Sequence, residues 1–233
     1  MNLNDFGVKI YSQFKEDGIT RKIFDLIGTT NKVCVEFGVQ NGTECCSKVM
    51  WNNHGFRPIL FDNEHENKNI NLHKETITID NVLDLFARHD VPKELDLLVV
   101  DIDSYDFYVV HKILEEYTPR LLIVETNPTF LKEDKVVLLD HEVAGGYHGA
   151  GTKAWFDTLN NKGYRMVCHE SCGINAFFVY GDGLATIVDD FNNFDLLYSA
   201  PSLPVRLEDY QLYPDWPVLT STEALKLINK EGE

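Results

Sequence analysis

Five short apolar runs, each closing on polar or acidic residues, restrict what this chain can fold into more than any other feature. They are Lys32–Phe37 with Glu36 near its end, Arg57–Phe61 ending at Asp62, and Thr76–Ile79 ending at Asp80-Asn81. Leu95–Ile102 follows, bracketed by acids with Asp101 and Asp103 at its far end, and then Arg120–Val124, ending Glu125-Thr126-Asn127. Helix-like stretches alternate with them, over Lys15–Ile27, Thr43–Asn52, Glu64–Leu72, Val82–Arg88 and Asp106–Tyr117. Such alternation predicts an α/β fold with a Rossmann-like, doubly wound, mostly parallel sheet. The Leu95–Ile102 run suits a central strand buried on both faces.

In parallel sheets ligands sit beyond the carboxyl ends of the strands, at the topological switch point. One strand ending in an acid is unremarkable; five in a row point to a site. Glu36-Phe37-Gly38-Val39-Gln40-Asn41-Gly42 marks its centre, because glycine lets backbone approach a ligand closely. The spacing is neither G-x-G-x-x-G nor a phosphate-cradling Gly-Lys-Ser/Thr loop. An acid ahead of the turn suits a cofactor with a cationic amino-acid end, S-adenosylmethionine. Asp62 lies about twenty residues beyond Gly42, the offset at which a strand-2 acid grips ribose hydroxyls. The alternative for Asp62 is a helix cap. Asp80 and Asn81 are candidates for the adenine edge, Glu36 for the methionine amine or the turn itself.

The chain continues with a long loop, Pro128–Ala150, a helix over Thr152–Asn161, and a closing antiparallel hairpin of Tyr164–His169 and Ala176–Tyr180. A loop of this length is usually functional. The expected organisation is a domain over 1–182 and an aromatic, proline-rich extension over 183–233 packed on it, ending in a helix over Thr222–Asn229. With 233 residues the chain can build one sizeable core.

The net charge of -16 repels phosphate backbones and anionic lipid heads, so neither nucleic acid nor membrane is an expected partner. No apolar run spans a bilayer and no secretory signal is apparent, which makes cytoplasmic the expected location. The odd count of five cysteines, with Cys45 beside Cys46, argues against a disulfide framework. Cys168-His169-Glu170-Ser171-Cys172 lacks a second ligand pair for zinc.

Several ordered motifs together resemble FkbM-type class I methyltransferases. They are Ser12-Gln13 with Glu16-Asp17-Gly18, Val35-Glu36-Phe37-Gly38, Asp101-Ile102-Asp103-Ser104-Tyr105-Asp106-Phe107, and Val124-Glu125-Thr126-Asn127. Gly149-Ala150, Lys162-Gly163-Tyr164 and Asn175-Ala176-Phe177-Phe178-Val179 extend the similarity to about residue 180. Many relatives carry Gly where Ser104 stands and Glu where Asp103 and Asp106 stand, and the 181–233 tail matches no motif of the family. The resemblance implies O-methylation, often of sugars or sugar-bearing products. With the strand-end reading, the expected cofactor set is Gln13, Glu36, Gly38, Gly42, Asp62, Asp80, Asn81 and Asp101.

A sugar hydroxyl is a poor nucleophile, and two devices are available to help remove its proton. Asp101 with Glu125 and Asn127 resembles the acid, acid, amide set that binds magnesium in catechol O-methyltransferase-like enzymes, so Mg²⁺ or Mn²⁺ is one. A base from the long loop is the other, with His148 the best candidate and His141 the reserve. Asp101, Asp103 and His148 form the expected catalytic set. An NAD-dependent oxidoreductase and a catalytically silent interaction module are the alternatives. The acceptor is expected to be a small molecule or glycan, and a homo-oligomer is left open.

Overall fold

Period-two patterning divides the central strands between two apolar cores. The structure is a computed structural model that describes residues 1–103, 105–138, 149–201 and 218–230, the side chains of 218 and 228–230 excepted. In chain order it contains α1 (Glu16–Ile27), β1 (Val33–Phe37), α2 (Lys48–Asn53), β2 (Arg57–Asp62), β3 (Leu72–Lys74) and α3 (Val82–Arg88). Then come β4 (Leu97–Val100), α4 (Asp106–Ile113), β5 (Leu121–Glu125), β6 (Val136–Leu138) and α5 (Thr152–Asn161). The rest are β7 (Tyr164–His169), β8 (Asn175–Tyr180), α6 (Phe194–Leu197), β9 (Val218–Thr220) and α7 (Ser221–Lys230).

The main sheet has seven strands in the order β3-β2-β1-β4-β5-β8-β7. The first five run parallel, β8 returns antiparallel beside β5, and β7 closes the sheet antiparallel to β8. This is the mostly parallel, hairpin-closed α/β fold that the sequence predicts. The order reverses at β1 and β4, which makes their carboxyl ends the switch point.

Successive residues of a strand face opposite ways. Val35, Phe37, Leu98, Val100, Leu122 and Val124 pack with Phe86, Phe107 and Trp155 of α3, α4 and α5. Cys34, Leu97, Val99, Leu121 and Ile123 pack with Ile19, Ile23 and Phe24 of α1 and Met50 of α2. Full burial of each such side chain contributes about 1.5–3 kcal/mol. Glu36 therefore falls on the α1–α2 face, among apolar neighbours.

Three expected elements differ from the structure. Glu64–Leu72 is not a helix: a 3-10 turn covers Lys68–Ile70, capped by Asn67, and Leu72 already pairs with Leu60 as the start of β3. Glu64–Asn71 is too polar to give a helix a buried face, and Asn71, at φ 55, turns the chain into the strand. The third strand is thus Leu72–Lys74, not Thr76–Ile79. The Thr43–Asn52 helix begins only at Lys48.

The 128–150 loop contains β6, which pairs antiparallel with β9 of the tail. Of the tail, Leu184 and Val188 enter one core and Phe194 and Ala224 the other. Among the described residues no helix is long and apolar enough to cross a membrane.

Candidate functional site

A cavity of about 490 Å³ lies over the strand ends from β3 to β8. That volume falls within the usual range for small-molecule sites. Glu75, Thr76 and Ile77 follow β3 at one end; Phe61, Asp62 and Asn63 come from β2, and Glu36, Phe37, Gly38 and Gln40 from β1 and its turn. Glu44, Cys45 and Cys46 lead into α2, and Asp101, Ile102 and Asp103 follow β4. Glu125 of β5, Asn175 of β8 and Gln13 close the far end. Seven of these residues are acids, and none is lysine, arginine or histidine.

The turn after β1 is held from several sides. Gly38 has φ 75, and a Cβ there would stand 1.6 Å from the carbonyl oxygen of Asp101. Only glycine lets β1 and β4 leave the sheet side by side. Glu36 accepts the backbone N–H groups of Cys46 (2.7 Å) and Ser47 (2.9 Å), fastening the entry to α2. Burial pushes its carboxyl up to about 7 despite those bonds. Lys48 donates to the carbonyls of Gly42 and Thr43, closing the loop from the helix side.

Asp62 lines the cavity and holds its own turn, with no α-helix directly after it to cap. Its Oδ1 accepts the N–H groups of Glu64 and His65 and faces His65 Nδ1 at 2.9 Å, while Oδ2 accepts Gln40 N–H at 2.7 Å. Burial acts to raise its pKa, but these hydrogen bonds outweigh it and hold the carboxyl below its ordinary value. An ionised carboxylate on the cavity wall, locked by its own turn, is the result.

At the β4–β5 end, carboxylate oxygens of Asp101, Asp103 and Glu125 lie within 4.8 Å of one another. Burial and the charges of Asp106, Asp103 and Glu36 push Asp101 up to about 8. Burial and then Asp101 raise Glu125 well above its usual range. Asp103 turns through φ 55, and Asp106 accepts Ile102 N–H at 2.8 Å, pinning the same bend.

The N-terminal segment is strapped across this end. Asp17 Oδ2 accepts the N–H groups of Ile10, Tyr11 and Ser12 together with the Ser12 hydroxyl. Glu16 accepts Phe14 N–H and the Asn175 side-chain amide. The strap carries Gln13 to the cavity.

The structure thus brings together Gln13, Glu36, Gly38, Asp62, Asp101, Asp103 and Glu125. Asp80 and Asn81 do not line the cavity. Asn81, just before α3, bonds instead to Thr78 and to the Thr76 carbonyl, because the strand they were expected to terminate lies earlier in the chain. Gly42 sits behind the wall, its α-carbon facing Ile70. Asn127 does not line the cavity, and its Oδ1 accepts Thr129 N–H and hydroxyl in a turn of its own, while Asp103 lies with Asp101 and Glu125 in the acid cluster. His148 and His141 lie outside the described residues.

Sequence reasoning did not select Glu75, Thr76, Ile77 or Asn175 as site residues. Placing β3 at Leu72–Lys74 would have exposed the first three; Asn175 carried a signal only in the hairpin motif.

No family model matches the sequence, and no curated protein matches it. Solved structures of similar fold include a protein described as a ribosomal RNA methyltransferase from Plasmodium falciparum, with 12% identity and a TM-score of 0.43, over 74% of this chain and 97% of that one. An O-methyltransferase family protein from Burkholderia thailandensis has 10% identity and a TM-score of 0.40, over 72% of this chain and 57% of that one. MycE methyltransferase of the mycinamycin biosynthetic pathway, solved with Mg and SAH, has 11% identity and a TM-score of 0.41, over 84% of this chain and 51% of that one. The chain spans just over half the length of the last two. At these identities and scores the likeness is one of general architecture and assigns no activity.

Proposed function

We propose that this protein is an S-adenosylmethionine-dependent O-methyltransferase of the FkbM type, acting on a hydroxyl of a sugar, glycan or other polyhydroxylated small molecule. The observation that carries the reading is the continuous cavity over the switch point, lined by seven acids and no basic side chain. A cofactor with a positive sulfur and an ammonium suits such a field; a dinucleotide with its pyrophosphate does not. The donor set fits the cofactor. Asp62 stands ionised where a ribose diol would bind, Phe61, Ile77 and Ile102 supply apolar wall for a purine, and Glu36 and Gln13 line the end left for the amino acid.

S-adenosylmethionine supplies a methyl on a positive sulfur, which an acceptor oxygen displaces in line while the sulfur keeps the bonding pair. The protein's part is to align the acceptor and take its proton. Asp101 and Asp103 are the described candidates for receiving that proton, and His148 is a third. Asp101, Asp103 and Glu125 also present hard oxygen donors close enough for one Mg²⁺ or Mn²⁺, which would lower the hydroxyl's pKa. The acidic charge argues against nucleic acid and membrane as partners, and a cytoplasmic location stays part of this proposal.

The test compares S-adenosylmethionine with NAD in a thermal-shift titration and then seeks methylated product from a glycan panel with and without EDTA. Stabilisation by S-adenosylmethionine alone, with turnover, supports the reading. Stabilisation by NAD alone makes the protein an oxidoreductase, and cofactor binding without turnover favours the silent module. Indifference to EDTA removes the metal.

A further inference from the structure

The far wall of the cavity is made by one amide whose orientation is fixed from behind. Asn175 opens β8 and stands opposite Glu125 of β5 in antiparallel register, so both side chains project to the same side. It is 2% exposed and lines the cavity. Its Nδ2 donates to Glu16 Oε1 at 2.8 Å, and Glu16 is itself fully buried in the first turn of α1. The other Glu16 oxygen accepts Phe14 N–H at 2.9 Å. A carboxylate only accepts, so Glu16 turns the amide nitrogen toward α1 and the amide oxygen away. Among the described residues no protein donor pairs with Asn175 Oδ1. An amide oxygen that has no protein partner and reaches the cavity opposite Glu125 is open to a donor from outside the chain.

We infer that Asn175 binds the methyl acceptor, its Oδ1 taking a hydrogen bond from an acceptor hydroxyl or ammonium, with Glu16 as the positioning residue that keeps the amide in that sense. The inference rests on the methyltransferase reading, which gives Asp62 and its neighbours to the cofactor's nucleoside and Glu36 and Gln13 to its amino acid, and leaves the wall at Glu125 and Asn175 to the acceptor. Its consequence is a filter. Asn175 Oδ1, held in that sense, offers a lone pair and no donor. A neutral or amino polyol brings a hydrogen to it, whereas a carboxylate or phosphate sets acceptor atoms against it.

The experiment starts by saturating the protein with S-adenosylhomocysteine in chelator-containing buffer, followed calorimetrically. The complex is then titrated with methyl α-D-glucopyranoside, D-glucosamine and D-glucuronate. The neutral and amino sugars are expected to bind, and glucuronate at least about tenfold more weakly. Asn175→Leu should weaken the two favourable sugars by about tenfold, the loss of one hydrogen bond, while S-adenosylhomocysteine affinity stays within about twofold, showing that the fold survives. Glu16→Gln lets the amide reverse, so glucuronate should gain relative to the neutral sugar, a change that mere destabilisation does not produce. Failure of S-adenosylhomocysteine to bind overturns the methyltransferase reading and this inference with it. If S-adenosylhomocysteine binds, the inference alone falls in three cases: glucuronate matches or beats the other sugars, no sugar binds, or Asn175→Leu leaves the sugar affinities unchanged.

Discussion

Strand β4 is flanked by an acid at each end, Asp96 buried and Asp101 half-buried, and the two are treated in opposite ways. At its start Asp96 is 0% exposed, yet it accepts the N–H groups of Thr30 and Lys32 and the Thr30 hydroxyl, and pairs with Arg120 at 3.0 Å. Burial acts to raise its pKa, but Arg120 and those hydrogen bonds prevail and hold it below the ordinary carboxylate range. At the strand's far end Asp101 has Asp103 and Glu125 close by and no cation among the cavity's residues. There burial and like charge act together and raise it to about 8. One acid is neutralised by its neighbours; the other is left among like charges. A pKa raised at a strand's carboxyl end and lowered at its amino end separates site from scaffold within five residues of sequence.

The sharpest way to break that comparison is to close the gap between β1 and β4. Gly38→Ala places a methyl 1.6 Å from the Asp101 carbonyl at φ 75. It should cost more than about 3 kcal/mol or prevent folding outright; a melt indistinguishable from wild type would show that the two strand ends separate easily. Next in size is Asp96→Ala, which strands Arg120 and three donors. It should cost about 3 kcal/mol in denaturant titration, the low end for a broken buried pair because Arg120 is partly exposed, with S-adenosylhomocysteine affinity unchanged. Loss of ligand affinity there would erase the distinction between the two ends. Asp62→Ala should do the reverse, weakening S-adenosylhomocysteine by about a hundredfold through two lost ribose hydrogen bonds; unchanged affinity in calorimetry would remove Asp62 from the site.

The smallest effect is a slope with pH. Glu36 rises in the folded protein from 4.5 to about 7, so the folded state holds a proton that the unfolded state has released. The stability tied to it is present in full below about pH 4.5 and is lost as pH climbs through about 7. Asp101 and Glu125 act in the same direction. Asp96 acts in the opposite one, its contribution present above the ordinary carboxylate pKa of 3.8 and lost as pH falls through its lowered value. Melting temperatures across a pH series should therefore decline from weakly acid to neutral pH, and Glu36→Gln should flatten the decline even though it lowers overall stability. A Glu36→Gln series parallel to wild type would contradict the assignment.

Most of the sheet was legible because β1, β2, β4, β5 and the hairpin have apolar runs that no helix period accommodates. β3 was not, since three residues, Leu72-His73-Lys74, carry too little pattern, and its register is set by pairing with β2. That one misplacement drew Asp80 and Asn81 into the site and kept Glu75, Thr76 and Ile77 out. The acids at β1, β2, β4 and β5 could be read directly, because a strand's end and a sheet's rim are the same place. Asn127 could not be separated from Asp103 by sequence: both follow a strand by two or three residues, and only the fold puts one on the cavity wall and the other in a turn with Thr129. The partnership of Glu16 with Asn175 joins the start of the chain to its closing hairpin, and no local pattern records a contact of that range.

The most direct test of the acidic cavity as a cofactor site is a calorimetric titration of S-adenosylmethionine into the protein at about pH 6 and about pH 8. The account predicts one site per chain at both values and tighter binding at the higher, where Glu36 is ionised and a positive ligand gains more. Absence of binding at both, or affinity that falls as pH rises, would contradict it.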